Sequence, residues 1–402
     1  MKNIRSHLTL FTPRRLWLAA TAGLAAILIA CGGGGVDVAG VGSGGTGAAV
    51  SGTVTGFGSV IVNGIRMDDD SATIMLDDAP ATDGDLRLGM TVDIEGTVAA
   101  GATSGTASRI AGRSYVQGPV EFVGQQIKVL GVSVNVTPNT VYDDSDNRSL
   151  SDVSGLQSGD IVEVYGLPDA AGTLEATRIE RKPVATTEVR LTGTAAEANS
   201  NALTFKIGDT TVKYSSAQLV GLPYGVLEGL TVRIKGSISA GGMILASEVR
   251  QIGLVPALQE SQYAELEGVV TKFASAADFE INKLKVSLAA DGQLIGTLTQ
   301  GARVEVEGSF SNGVLLASRI LVLDKTQPQA NLNEVHGKIF NVDSGNRTFT
   351  MRNGNVTVKW DGFTSFIAPI SSGDLIPGAA VYVKGNMQGN VLLASEISLN
   401  NR

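Results

Sequence analysis

Apolar and polar residues alternate with period two in a short box that recurs along the chain. GMTVDIEG at 89–96 returns as GDIVEVYG at 159–166, GLTVRIKG at 229–236, GARVEVEG at 301–308 and GAAVYVKG at 378–385. Each copy places a Val three residues after its first glycine (Val92, Val162, Val232, Val304, Val381) and a branched residue two further on (Ile94, Val164, Ile234, Val306, Val383). Thr91, Asp93 and Glu95 separate these in the first copy, and Glu163, Arg233, Glu305 and Tyr382 later stand where Asp93 does. One apolar and one wet face at period two predict an antiparallel strand, because a parallel sheet buried on both faces calls for a continuous apolar run.

Two further marks travel with the box. ASRI at 107–110, ATRI at 176–179, ASEV at 246–249, ASRI at 317–320 and ASEI at 394–397 trail it, and a glycine inside a strand-like run opens each unit, at Gly52, Gly118, Gly193, Gly268 and Gly337. Between these marks, Asn63-Gly64 and Asn353-Gly354 sit between apolar runs and predict type I′ hairpins, since both central residues need positive φ. Leu130-Gly131, Gly208-Asp209 and Asn282-Lys283 hold comparable places in the other units.

The closing glycines Gly96, Gly166, Gly236, Gly308 and Gly385 are 70, 70, 72 and 77 residues apart, which sets the unit length. No segment carries a helical stripe. A sheet of about seventy residues left open buries too little surface and exposes its edges, so closure is favoured. The expected fold is all-β: five tandem small antiparallel β-barrels, OB-like, with a two-sheet sandwich as the alternative. Strand glycines suit barrel corners. The repeats are placed at 48–113, 114–184, 185–255, 262–325 and 331–400. The joints Arg181-Lys182-Pro183, Gly253 to Gln262 with Pro256, and Asp324 to Leu332 with Pro328 are short, which predicts touching barrels in a semi-rigid string.

Ahead of the repeats, residues 1–30 have the layout of a secretory signal: a basic segment to Arg15, then the apolar run Leu16 to Ala30, too short to span a bilayer. Leu28-Ile29-Ala30-Cys31 resembles a bacterial lipobox, and Cys31 is the single cysteine of the chain, unable to form an intramolecular disulfide. The resemblance implies cleavage before Cys31 and acylation of it, with palmitate among the chains, so that the protein is held to the membrane. An ordinary signal peptide with an incidental cysteine is the alternative. Residues 31–47, lipidated Cys31 and a glycine-rich run, read as a flexible tether. Gly32 after the cysteine, in place of Asp, resembles the sorting pattern of outer-membrane lipoproteins, on the periplasmic or the surface side. The boxes in tandem behind such a leader resemble the family catalogued as domain of unknown function 5666, which implies neither an activity nor catalytic residues.

Composition narrows the chemistry. Charged residues make up 17% and glycine contributes 50 residues, a strand-and-turn composition. The net charge of −8 includes Lys2, Arg5, Arg14 and Arg15 in the leader, so the remainder carries −12 and repels phosphate backbones. Beyond the leader the one histidine is His336, whose counterparts Ser51, Gln117, Thr192 and Glu267 describe an exposed polar strand position. With the thiol assigned to lipid, routes to nucleophilic catalysis and transition-metal binding are few, and no cofactor is called for. Asp68-Asp69-Asp70 and the run Asp143, Asp144, Ser145, Asp146, Asn147 carry Ca2+-type oxygen ligands but lack EF-hand spacing; Asp143, Asp144 and Asp146 are the metal candidates, against a solvated-loop reading. Trp360, Phe363 and Phe366 are the one concentration of aromatics, either core packing or a ligand surface. The expected function is a non-catalytic, lipid-anchored cell-envelope scaffold or binding module, with an envelope protein or glycan as partner. A carbohydrate-binding or carbohydrate-processing protein is the alternative, and nucleic-acid binding ranks third.

Overall fold

A computed structural model describes residues 47–400 apart from 124–125, 147, 149, 223–226, 327–331 and 353–354. Leu28, Ile29, Ala30, Cys31 and the tether up to residue 46 lie outside the described residues, as do Asn147, Pro328, Asn353 and Gly354.

The first unit consists of β1 (Ala48–Phe57), β2 (Val60–Val62), β3 (Ile65–Asp68), β4 (Thr73–Leu76), β5 (Ala79–Ala81), β6 (Thr91–Val98) and β7 (Ser104–Gly112). β1 pairs antiparallel with β2 and β6, β2 with β3, and β6 with β7, while β3 runs parallel to β7 and closes the circuit. The order β1-β2-β3-β7-β6-β1 is that of a five-stranded OB-like barrel. Four more barrels close identically. Their β3–β7 counterparts are Val132–Asn135 with Leu174–Arg181, Thr210–Lys213 with Ile244–Gln251, Leu284–Ile295 with Val314–Leu323, and Val356–Lys359 with Val391–Leu399. Among the described residues there is no α-helix, only short 3-10 turns such as Asp83–Asp85 and Ser372–Asp374 ahead of the box strand. The barrels are thus antiparallel apart from the outer edge of the last strand, which in the first unit takes β3 and then β4 in parallel.

The recurring residues have recurring jobs. The first glycine of the box has positive φ in all five units (Gly89, Gly159, Gly229, Gly301, Gly378). Its N–H donates to the carbonyl of Val54, Val120, Ala195, Val270 or Ile339 at 2.7 to 2.9 Å, fastening the start of the box strand to the first strand. The second glycine does not end its strand; β6 runs on to Val98. It sits at a β-bulge, where the register shifts at Glu95/Gly96, Tyr165/Gly166, Lys235/Gly236, Glu307/Gly308 and Lys384/Gly385. A Cβ on any of these glycines would fall 2.1 to 2.3 Å from a carbonyl oxygen of the paired strand. The residue skipped at the bulge is the Ser or Thr of the second box. Ser108, Ser247, Ser318 and Ser395 each donate to the carbonyl of the residue before the glycine, at 2.9 to 3.1 Å. The flanking Ala and Ile or Val of that box, such as Ala107 and Ile110, point into the core. The opening glycines Gly52, Gly118, Gly193 and Gly268 leave room for Asn63, Leu130, Ile207 and Ile281 of the following hairpin.

The barrels do not form a string. The start of β1 pairs in parallel with Tyr263–Leu266 of the fourth barrel, and its end with Glu334–Val335 of the fifth. Gln117 and Val116 of the second barrel pair with Arg190 and Leu191 of the third. Three buried apolar clusters result: one shared chiefly by barrels one and five, one by barrels two and three, one centred on barrel four. The physical reason is that these stretches of the first strands are paired inside their own barrel along one edge only, and the other edge presents backbone donors and acceptors, which neighbouring barrels satisfy.

That packing corrects two further expectations. The outer faces of several strands are dry: Glu163 and Arg233, at the polar positions of the box, are buried between barrels. The position read as an exposed strand site is an interface in most copies. Gln117, Thr192 and Glu267 are buried, and His336 is half-buried against Tyr382, with its Nε2 3.0 Å from the Arg66 guanidinium. The two-residue hairpins form at Asn63-Gly64, Leu130-Gly131 and Asn282-Lys283 with positive φ at both residues. In the fifth barrel the strands flanking Asn353-Gly354 pair at Met351 and Val356, leaving four residues between them.

Candidate functional site

The β2–β3 hairpin is fixed by its Asn-Gly turn and by Val60, Val62, Ile65 and Met67, which turn into the core of the first barrel. Its alternate residues Ile61, Asn63 and Arg66 face outward toward a cavity of about 540 Å3, joined by Thr103 from the β6–β7 loop and Ser104 at the start of β7. In OB folds the face of strands 2 and 3, together with the loop between strands 4 and 5, is the usual ligand platform, and β6 and β7 are strands 4 and 5 of that circuit. Here other barrels roof the platform. Glu267, Arg303, Glu305, Leu321 and Leu323 come from the fourth barrel, Asn139 and Thr177 from the second, and Glu334 from the fifth. The volume lies within the range of small-molecule sites.

Charges in the cavity are sorted by geometry. Arg303 donates through Nε to Glu267 Oε1 at 2.6 Å, through one terminal nitrogen to Glu175 at 3.2 Å, and through the other to the Thr53 hydroxyl at 3.3 Å. The second Glu267 oxygen accepts the Thr53 N–H at 2.8 Å. Arg66 is shared by His336 and Glu334, the latter at 3.4 Å. Glu305 stands directly across from Glu267 and has no ion pair among the described residues. Burial first, and the Glu267 charge second, outweigh Arg319 and Arg303 and push its carboxyl up to about 7. One strand step further, Glu265 faces Glu307, and burial followed by the charges of Glu305 and Glu307 pushes Glu265 up to about 8.

A second constellation is structural. Asp77 and Asp78 form a type I′ turn between β4 and β5, with φ of 51° and 66°. The turn enters the third barrel's outer face, where Arg233 clamps both carboxylates, Asp78 at 2.6 Å, and Arg190 meets Asp77 at 2.7 Å. Burial raises Asp78, but Arg233, Arg113, Lys235 and Arg250 together hold it below the usual carboxylate range. Nothing in the local sequence distinguishes this acidic turn from a solvated one; Arg at the wet position of the third box was the available signal.

The residues singled out from sequence fall in separate places. Asp143 pairs with buried Arg178, and Asp144 with buried Arg181 at 2.6 Å. Asp146 pairs with Arg148. These aspartates therefore face arginines, and no group of three or more metal-ligating side chains occurs among the described residues. Trp360 is a core residue, 7% exposed, with its ring 5.8 Å from Phe349. Phe363 is 95% exposed and Phe366 packs partly against the core, so the three share no face. None of the described helical segments is long and apolar enough to cross a membrane.

Comparisons follow the repeats. The profile of the family described as a domain of unknown function (DUF5666) matches residues 49–111, 117–180, 267–320 and 336–398, more than half of the chain. The third barrel is left unmatched although it closes by the same circuit. No curated protein matches. Among solved structures, a Drosophila Unr fragment, CSD456, is 14% identical, with 52% of this chain and 97% of that one covered and a TM-score of 0.13. A multidomain protein with nucleic acid binding domains from Streptococcus pneumoniae is 12% identical, with 53% and 73% covered and the same TM-score, 0.13.

Proposed function

The chain belongs to the DUF5666 family, and we propose that it is a non-catalytic cell-envelope protein, held at the outer membrane by acyl chains on Cys31, whose barrels together form one ligand-binding scaffold. The observation that carries the binding half is the cavity on the first barrel's β2–β3 face, walled by four barrels. The anchoring half rests on Leu28-Ile29-Ala30-Cys31 and the glycine run after it. A non-catalytic reading is supported by how the cavity's acids are used: Glu267 and Glu334 are held by arginines, leaving Glu305 without the second free carboxylate that glycoside hydrolysis needs. With Trp360 in the core, a sugar-stacking surface there would rest on Phe363 and the half-buried Phe366. A net charge of −12 beyond the leader opposes nucleic acid.

Metabolic labelling with a palmitate analogue tests the anchor. Label and membrane fractionation should both be present in the wild type, absent in Cys31→Ser, and blocked by globomycin. A soluble, unlabelled wild-type protein would remove the anchored reading.

A further inference from the structure

The five copies of the second box provide an internal control. In four of them the serine hydroxyl is satisfied by the carbonyl freed at the bulge. In the second barrel the residue is Thr177, whose hydroxyl makes no hydrogen bond although the residue is only 3% exposed. Thr177 is also the copy that lines the cavity. A buried hydroxyl without a partner is destabilising, so its retention at the cavity wall points to a partner supplied from outside the chain.

Glu305, on the same wall, is the second unanswered group. The two cations that line the cavity are both committed: Arg303 to Glu267, Glu175 and Thr53, and Arg66 to Glu334 and His336. Three carboxylates against two guanidinium groups leave the lining one negative charge in excess. Ile61, Leu321, Leu323 and Leu332 complete it with aliphatic surface. A hydrogen-bond donor bearing positive charge, on a short methylene chain, answers all three features.

We propose that the cavity between the first, second, fourth and fifth barrels binds a small aliphatic amine, its ammonium on the Glu305 carboxylate and its methylenes against Ile61, Leu321 and Leu323. This deepens the binding half of the proposed function and rests on it. Glu267, Glu265, Arg303 and Arg319 also face Glu305; the two acids oppose its ionisation and the arginines favour it.

The test is isothermal titration of the detergent-solubilised full chain with 1,4-diaminobutane at pH 8, where the carboxyl is ionised. Saturable binding is expected, with Glu305→Gln weakening it roughly tenfold or more, since a charge-assisted bond is removed. Glu95→Gln, at an exposed acid on the box strand of the first barrel, two residues beyond the counterpart of Glu305, should change nothing. The neutral isostere 1,4-butanediol should not bind, and affinity for the diamine should fall at pH 5.5 as Glu305 takes up its proton. Far-ultraviolet circular dichroism and the unfolding midpoint of Glu305→Gln should match the wild type, which separates loss of binding from loss of fold. No heat with 1,4-diaminobutane, or unchanged affinity in Glu305→Gln, would overturn the amine assignment. Binding of a neutral disaccharide, competed by neither the diamine nor salt, would overturn the amine and leave the cavity as a binding site.

Discussion

Arg233 offers the sharpest perturbation of the packing. Its side chain is 1% exposed and meets both Asp77 and Asp78 of the first barrel's acidic turn. Arg233→Met keeps the volume and strands two carboxylates in a dry interface. Removing one member of a buried pair costs about 3 to 5 kcal/mol. Arg190 at 2.7 Å from Asp77, with Arg113 and Lys235 at 3.6 and 3.7 Å from Asp78, still offers partial compensation, which places the expected loss near 3 kcal/mol. Asp77→Asn combined with Asp78→Asn should also destabilise, by leaving Arg233 unpaired. The triple variant should recover about 2 kcal/mol relative to additivity, because an apolar replacement of a whole buried network is close to neutral. Urea unfolding followed by tryptophan fluorescence measures each corner of the cycle. The pair Arg109–Glu95, 3.0 Å apart but 43% and 48% exposed, is the control and should show coupling below about 0.5 kcal/mol. Because Asp78 is held below its ordinary value, its contribution is present above about pH 4 and is lost as pH falls through the folded-state pKa, so Asp78→Asn should flatten the acid limb. Additive effects around the cycle, within about 0.5 kcal/mol, would refute the reasoning.

The bulge glycines should be intolerant: Gly96→Ala puts a methyl 2.1 Å from the Thr106 carbonyl oxygen and should cost about 2 kcal/mol or more in thermal unfolding, whereas Gly101→Ala, in open space at φ of +71°, should cost about 1. Ser108→Ala removes a satisfied bond and should cost about 0.5 to 1.5 kcal/mol, while Thr177→Val, which removes an unpartnered hydroxyl, should be neutral or stabilising by the same denaturation assay. Glu265, pushed up by burial and by Glu305 and Glu307, binds its proton more tightly folded than unfolded. Stability should therefore fall as pH rises from about 4.3 to about 8, and Glu265→Gln should remove that slope and raise stability at pH 8 by about 2 to 3 kcal/mol, measured from unfolding midpoints across the range.

Local periodicity carried the barrel. Val92 and Ile94 are buried as their spacing requires, and the ASRI residues Ala107 and Ile110 join them. Asn63-Gly64 marked its hairpin because positive φ is written into those two side chains. The parallel seam left no trace, since β3 and β7 are brought together by closure and neither strand's pattern depends on its partner's direction. The second box glycine was legible as special but not as a bulge; its reason is the Thr106 carbonyl on another strand. The site was hidden for a related cause. Ser51, Gln117, Thr192, Glu267 and His336 occupy one register position with five chemistries, which looks like solvent tolerance and is instead five different neighbours. Likewise Thr177 stands in a box where Ser or Thr is interchangeable, and only the cavity beside it separates it from its four copies.

The central claim, that the later barrels pack around the first in place of lining up behind it, is tested most directly by small-angle X-ray scattering of residues 47–402. A packed chain of that length should give a radius of gyration of roughly 20 to 25 Å. Five units of about 11 Å each, strung end to end, would give roughly 40 Å, and a value near that would contradict the account.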